Sequence, residues 1–114
     1  MPMAAPQPIP AQQRLGFPTR VVINPVTDTV GTTPTLIFRN NPERIQWLAI
    51  NMSGNKGYIG WSSDVSSVKG IPVSPYGGFV MCTLEEDGEL TIYEVYAVLE
   101  NAPGPWYFIE VERR

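Results

Sequence analysis

From Arg20 onward, short runs rich in β-branched and aromatic residues alternate with turn-forming clusters, and no stretch carries the 3.6-residue apolar period of an amphipathic helix. That punctuation restricts the chain to an all-β architecture, since β-branched and aromatic side chains pack best on a pleated, half-buried surface. The spacing predicts strands over Arg20–Ile23, Thr35–Arg39, Arg44–Met52, Gly57–Trp61, Phe79–Leu84, Leu90–Leu99 in one piece or two, and Trp106–Glu112. The breaks between them are Asn24-Pro25, Ser53-Gly54-Asn55, Pro75-Tyr76-Gly77-Gly78, Asp87-Gly88 and Ala102-Pro103-Gly104-Pro105. Asp87-Gly88 predicts a tight hairpin, because Asp and Gly tolerate the positive φ of a type I′ turn. The expected fold is a compact antiparallel β-sandwich, jelly-roll-like.

Two strands predict their own faces. In the last, Tyr107, Ile109 and Val111 alternate with Trp106, Phe108, Glu110 and Glu112, so one face is apolar throughout and the other turns from aromatic to charged. The Tyr107 face is expected to be core, with Trp106 and Phe108 packed between subunits. In the strand from Arg44, both faces become apolar towards the C-terminal end, which predicts burial on both sides.

The N-terminal part differs in kind. Residues 1–41 hold seven of the 12 prolines and a charge of +2, and residues 42–114 hold five prolines and a charge of −5. Pro2, Pro6, Pro8, Pro10 and Pro18 favour extended, polyproline-like backbone and supply no ladder donors. Residues 1–19 are therefore expected to be an extended arm, and residues 20–114 the sandwich domain. Large apolar groups in the arm are few, chiefly Ile9, Leu15 and Phe17, so it is expected to order only on a partner. Leu15 and Phe17 are the candidate anchors, with Arg14 and Arg20 pairing with acidic groups.

Composition then narrows the chemistry. The chain has no histidine, which removes the commonest general base and the commonest zinc ligand, so an enzyme is not expected. Its single cysteine, Cys82, lies in an apolar run and reads as an inert core thiol, which leaves no internal disulfide and fits folding in a reducing cytosol. A net charge of −3 with only eight scattered basic residues argues against nucleic acid as a partner. No stretch approaches the roughly 18 apolar residues of a membrane span, and no secretory leader is expected.

The remaining motifs read as structure. Glu85-Glu86-Asp87-Gly88-Glu89 lacks the alternating ligand spacing of a calcium loop and is expected to be a solvated hairpin tip. Gly54 and Gly57 are turn glycines, because no Gly-Lys-Ser/Thr follows them. No cofactor or metal is implied.

From Asn40 to the end the sequence resembles a group of small virion proteins of tailed bacteriophages. The resemblance is carried by Asn41-Pro42-Glu43-Arg44, Ile50-Asn51-Met52-Ser53-Gly54-Asn55, Tyr58-Ile59-Gly60-Trp61, Asp64-Val65-Ser66-Ser67, Gly70-Ile71-Pro72-Val73, Pro75-Tyr76-Gly77-Gly78 and Trp106-Tyr107-Phe108-Ile109-Glu110-Val111. It implies an accessory particle component and supplies no catalytic residues. The expected function is a capsid decoration or cement protein, made in the host cytoplasm and seated on the virion surface. Its partners would be the major capsid protein or other virion subunits, with homo-oligomerisation, a trimer favoured. A neck, tail or fibre-base protein is one alternative, and a carbohydrate-binding module using Trp61 or Trp106 is another.

Overall fold

The computed structural model describes residues 19–22 and 26–113, which form two antiparallel sheets packed face to face. Nine strands follow in chain order: β1 (Thr19–Val22), β2 (Thr29–Val30), β3 (Thr35–Phe38), β4 (Arg44–Asn51), β5 (Gly57–Gly60), β6 (Ile71–Val73), β7 (Gly78–Thr83), β8 (Val95–Leu99) and β9 (Gly104–Arg113). A short helix α1 (Leu84–Asp87) and a 3-10 turn (Gly88–Thr91) lie between β7 and β8. One sheet has the order β1-β9-β4-β7, with β2 paired to the start of β9, and the other has the order β3-β8-β5-β6. With the two-residue β2 set aside and the eight other strands renumbered, these orders read 1-8-3-6 and 2-7-4-5, the arrangement of a jelly roll.

The core lies between the sheets. Trp47 and Ala49 of β4, Cys82 of β7, and Trp106 and Phe108 of β9 face Ile37 and Phe38 of β3, Ile59 of β5, Val73 of β6, and Val95, Ala97 and Leu99 of β8. Phe38 ties the layers together, its ring centroid 5.4 Å from that of Trp47 and 5.4 Å, edge on, from that of Phe108. Gly57 makes room for this packing. A Cβ on Gly57 would come within 2.6 Å of the Trp106 ring, so only glycine lets β5 pass so close to β9.

One end of the sandwich is polar. Between Arg44 and Gln46 the pairing of β4 with β9 shifts register, and this bulge turns Arg44 back into the interior, where it is fully buried. Its guanidinium donates to Glu110 Oε1 at 2.7 Å and to the carbonyls of Arg39 (2.9 Å), Thr91 (2.8 Å) and Tyr93 (2.7 Å), and it stacks over the Phe38 ring at 5.3 Å.

Three expectations are corrected here. The first concerns β9, whose Trp106, Phe108 and Glu110 are buried while Tyr107 is exposed and Ile109 and Val111 are half-buried. The inner face is thus the one that turns from aromatic to charged. Trp106 and Phe108, at 3% and 2% exposure, belong to the chain's own core and are not open to another subunit. Glu110 can sit inside because Arg44 meets it there.

The second concerns residues 84–91, where no hairpin forms. The Thr83 hydroxyl accepts from the Glu86 N–H at 3.3 Å, and the Asp87 carboxylate accepts from the Thr83 N–H at 2.8 Å. This reciprocal cap starts a helical turn, and the three acids in its first turn complement the helix dipole. Gly88 does take a positive φ of 59°, and the acidic residues are solvated as expected.

The third concerns Leu90–Glu94, which does not pair as strand. The carbonyls of Leu90, Thr91 and Tyr93 accept from the side chains of Trp61, Arg44 and Arg44, respectively, instead of from a neighbouring strand. The β4 expectation is met on one face. Trp47, Ala49 and Asn51 are buried, whereas Gln46, Leu48 and Ile50 are only half-covered.

Replacing Arg44 by Leu strands Glu110 and three carbonyls without donors; it is expected to cost about 3–5 kcal/mol in denaturant unfolding, the usual penalty for breaking a buried pair from one side. The combined change Glu86→Gln and Glu89→Gln touches only exposed groups, of which Glu89 accepts from the Tyr93 hydroxyl at 2.9 Å. Its melting temperature is expected to stay within roughly 2 °C of the wild type, and a larger drop would assign these acids a structural part.

Candidate functional site

The two sheets treat their outer faces differently. On the second sheet, the β5–β6 connection folds back so that Val65 packs on Tyr58 and Val98, with Tyr96 beside them, and the chain covers that face itself. On the first sheet no described segment lies over the outer face, although that face is apolar over most of its area.

Register assembles it. Val21 of β1 lies opposite Val111 of β9; Leu48 of β4 lies between Ile109 of β9 and Met81 of β7; and Ile50 lies between Tyr107 and Phe79. Residues directly opposite in a ladder share a face, so these eight side chains form one continuous surface across four strands. Phe79 is 64% exposed, Val21 63%, Met81 51% and Tyr107 44%. Apolar patches of more than a few hundred Å² are uncommon on monomeric proteins and mark contact sites.

A locked pair of turns borders this face at one end. The Asn51 side chain accepts from the Ser53 N–H and hydroxyl and donates to the Asn55 carbonyl at 2.8 Å, closing the β4–β5 turn. The same turn holds the β6–β7 connection through Tyr76 N–H to Ser53 O (2.9 Å) and Gly77 N–H to Asn51 O (2.7 Å). These bonds keep Tyr76 at φ 57°, an unusual backbone for a bulky residue. Tyr76 and Met52 stand 82% and 55% exposed, the Tyr76 ring lying over Gly54.

At the opposite corner, β1 is fastened where the chain enters the sheet. Arg20 donates to Glu112 Oε1 at 2.9 and 2.7 Å, and Asn41 donates to Glu112 Oε2 at 2.9 Å. Arg20 therefore pairs within its own chain, and β1 begins at Thr19, the last residue assigned to the arm. The other expected arm residues, Arg14, Leu15 and Phe17, lie outside the described residues, as does the Asn24-Pro25 break.

Other expected sites are placed as follows. Cys82 is buried against the Thr91 hydroxyl at 3.6 Å, and burial pushes its thiol above the ordinary cysteine range, as an inert thiol requires. Trp61 is half-buried on Trp47 with its indole N–H on the Leu90 carbonyl, and Trp106 is enclosed, so neither offers a flat exposed ring to a sugar. A shallow cleft of about 330 Å³ opens near Thr32, Pro34, Tyr58, Val65, Val98 and Glu100, where Tyr58 donates to Glu100 at 3.0 Å. Among the described residues no group of three or more His, Cys, Asp or Glu is placed to hold a metal, and no helix is long and apolar enough to cross a membrane.

The Asn41 amide, followed by the Arg20 guanidinium, holds the Glu112 carboxyl below its ordinary value of 4.5. A carboxyl depressed in the native state stabilises it fully above the unfolded value and loses that contribution as the pH falls through the lower native one. Urea unfolding between about pH 5 and 3 is thus expected to show a smaller loss of stability for Glu112→Gln than for the wild type. Parallel pH profiles would assign the acid response elsewhere.

Comparison with known proteins returns no match to any protein-family model, curated protein or solved structure.

Proposed function

We propose that this chain is a structural subunit of a virus particle, an accessory protein of the decoration or cement type that binds the outside of a bacteriophage head. The observation that carries the reading is the bare apolar face of the first sheet, Val21, Leu48, Ile50, Phe79, Met81, Tyr107, Ile109 and Val111, framed by rigid turns. A patch of this size and character is of the kind that marks a contact site, and the chain presents it on a four-strand sheet backed by an aromatic core.

Two further features support it. Jelly-roll sandwiches recur in viral capsid proteins and in lectins, and the likeness to small virion proteins from Asn40 onward favours the first of these. The lectin alternative loses the two tryptophans that would have served it, because both are packed against the core.

The mechanism is additive binding. The bare face of the sandwich supplies a contact to a neighbouring subunit of the assembly, and residues 1–18, at ~3.1 Å per residue in extended form, supply another reaching up to ~55 Å away. Contacts linked in one chain combine through effective concentration, so neither needs to be tight. The proline content of the arm lowers the entropy lost when it settles on a partner.

The test uses purified particles. The chain is expected among the virion proteins in many copies, and particles prepared without it should regain heat resistance when it is added. Deleting residues 1–18 should leave the melting temperature of the sandwich unchanged while weakening attachment. Absence of the chain from purified particles would overturn the reading, and truncated protein that attaches as well as the full chain would remove the arm from the mechanism.

A further inference from the structure

We propose that a second copy of this chain covers the outer face of the first sheet, the two sheets stacking face to face about a two-fold axis. The inference rests on the assembly reading above and names the partner of its contact surface.

Charge selects a copy of itself. In a two-fold contact each residue meets a symmetry-related residue of the same surface, so any charge near the axis faces its like. The chain has a net charge of −3, yet the outward positions of β1, β4, β7 and β9 hold only one charged residue. That residue is Arg113, at a corner, 3.8 Å from Glu43. The rest are apolar or neutral: Gln46 and Thr83 sit at the same end of the patch, and Pro105 lies beyond Tyr107. On this face two copies therefore meet with no like charges opposed near the axis.

Size and shape agree. From the exposures of Phe79, Val21, Met81, Tyr107 and Met52, with the half-buried residues between them, the face offers roughly 600 Å² per copy, given that aromatic side chains bury about 150–250 Å² each. The pair would remove about 1,200 Å² from water, at the lower end for specific stable interfaces. Two sheets of the same twist can stack with their strands about 30° apart and ~10 Å between layers. Phe79 and Tyr107 supply aromatic anchors, and Met81 fills the gaps between them.

The alternative occupants are the chain's own residues 1–18 and a foreign protein. The arm's five prolines among 18 residues leave it few large apolar groups with which to fill a four-strand face.

Sedimentation equilibrium of the full chain, without any particle, decides the matter. The expected mass is twice 12.7 kDa at high micromolar concentration. Phe79→Glu and Met81→Glu, both at solvent-facing positions, should each keep the wild-type circular dichroism and weaken self-association at least about tenfold. A monomeric wild type, a trimer, or variants that dimerise like the wild type would overturn the inference. With benzoylphenylalanine in place of Phe79, photo-crosslinks are expected to β4, β7 or β9 of a second copy, and capture of residues 1–18 instead would assign the face to the arm. The two proposals fail separately. A monomer that attaches to particles through this face overturns the second copy alone; a dimer that is never found on particles supports it and overturns the virion reading.

Discussion

The buried guanidinium of Arg44 sets the frame on which the rest of the sandwich depends. It collects a carboxylate from β9 and three carbonyls from the segments that lead into β4 and β8, groups between 5 and 66 residues distant in sequence. Closing that end of the sandwich by hydrophobic packing alone would leave those carbonyls without donors. A buried ion pair is a poor source of net stability, because desolvation consumes most of its Coulomb attraction. Its value here is selection. The bulge that admits Arg44 fixes the register of β4 on β9, and a slip of one residue would send every side chain of β9 to the opposite face.

That coupling explains what was legible in the sequence and what was not. Local chemistry announced the strands Thr35–Phe38, Arg44–Asn51, Gly57–Gly60 and Gly78–Thr83 to within a residue or two, and the turns at Ser53-Gly54-Asn55 and Pro75–Gly78 lie where glycine and proline put them. The inner face of β9 was not legible. Judged alone, Tyr107, Ile109 and Val111 make the better core face, because the other side carries Glu110 and Glu112. The partner of Glu110 is 66 residues away, and no periodicity within β9 can reveal it.

The candidate site was misplaced for the same reason. Aromatic residues on the last strand were expected at a contact surface, but the side chains that β9 turns outward are Tyr107, Ile109 and Val111, and Trp106 and Phe108 lie in the core. The helical turn after β7 did leave a signal, the capping pattern Thr83-x-x-Glu86, which the stronger Asp87-Gly88 hairpin motif obscured. The short strand β6 was hidden by Pro72. A proline is tolerated there because β6 ends its sheet and pairs only with β5.

The edges of the sandwich show why contact through a face is the reading its surface favours. An unpaired strand edge is the commoner route by which β proteins associate, and this chain blunts two of its edges. β6 carries Pro72 and has three residues, while β1 carries the exposed charge of Arg20, fixed on Glu112 at the corner of the sheet. Protection of that kind discourages open-ended addition of strands, which would lead to fibres instead of a closed assembly. A bare sheet face has no such growth mode. Once two complementary faces meet, both are consumed, and association stops at a defined size with those two edges still guarded. A subunit that must add to a surface in fixed numbers without polymerising in solution needs this division between guarded edges and one open face.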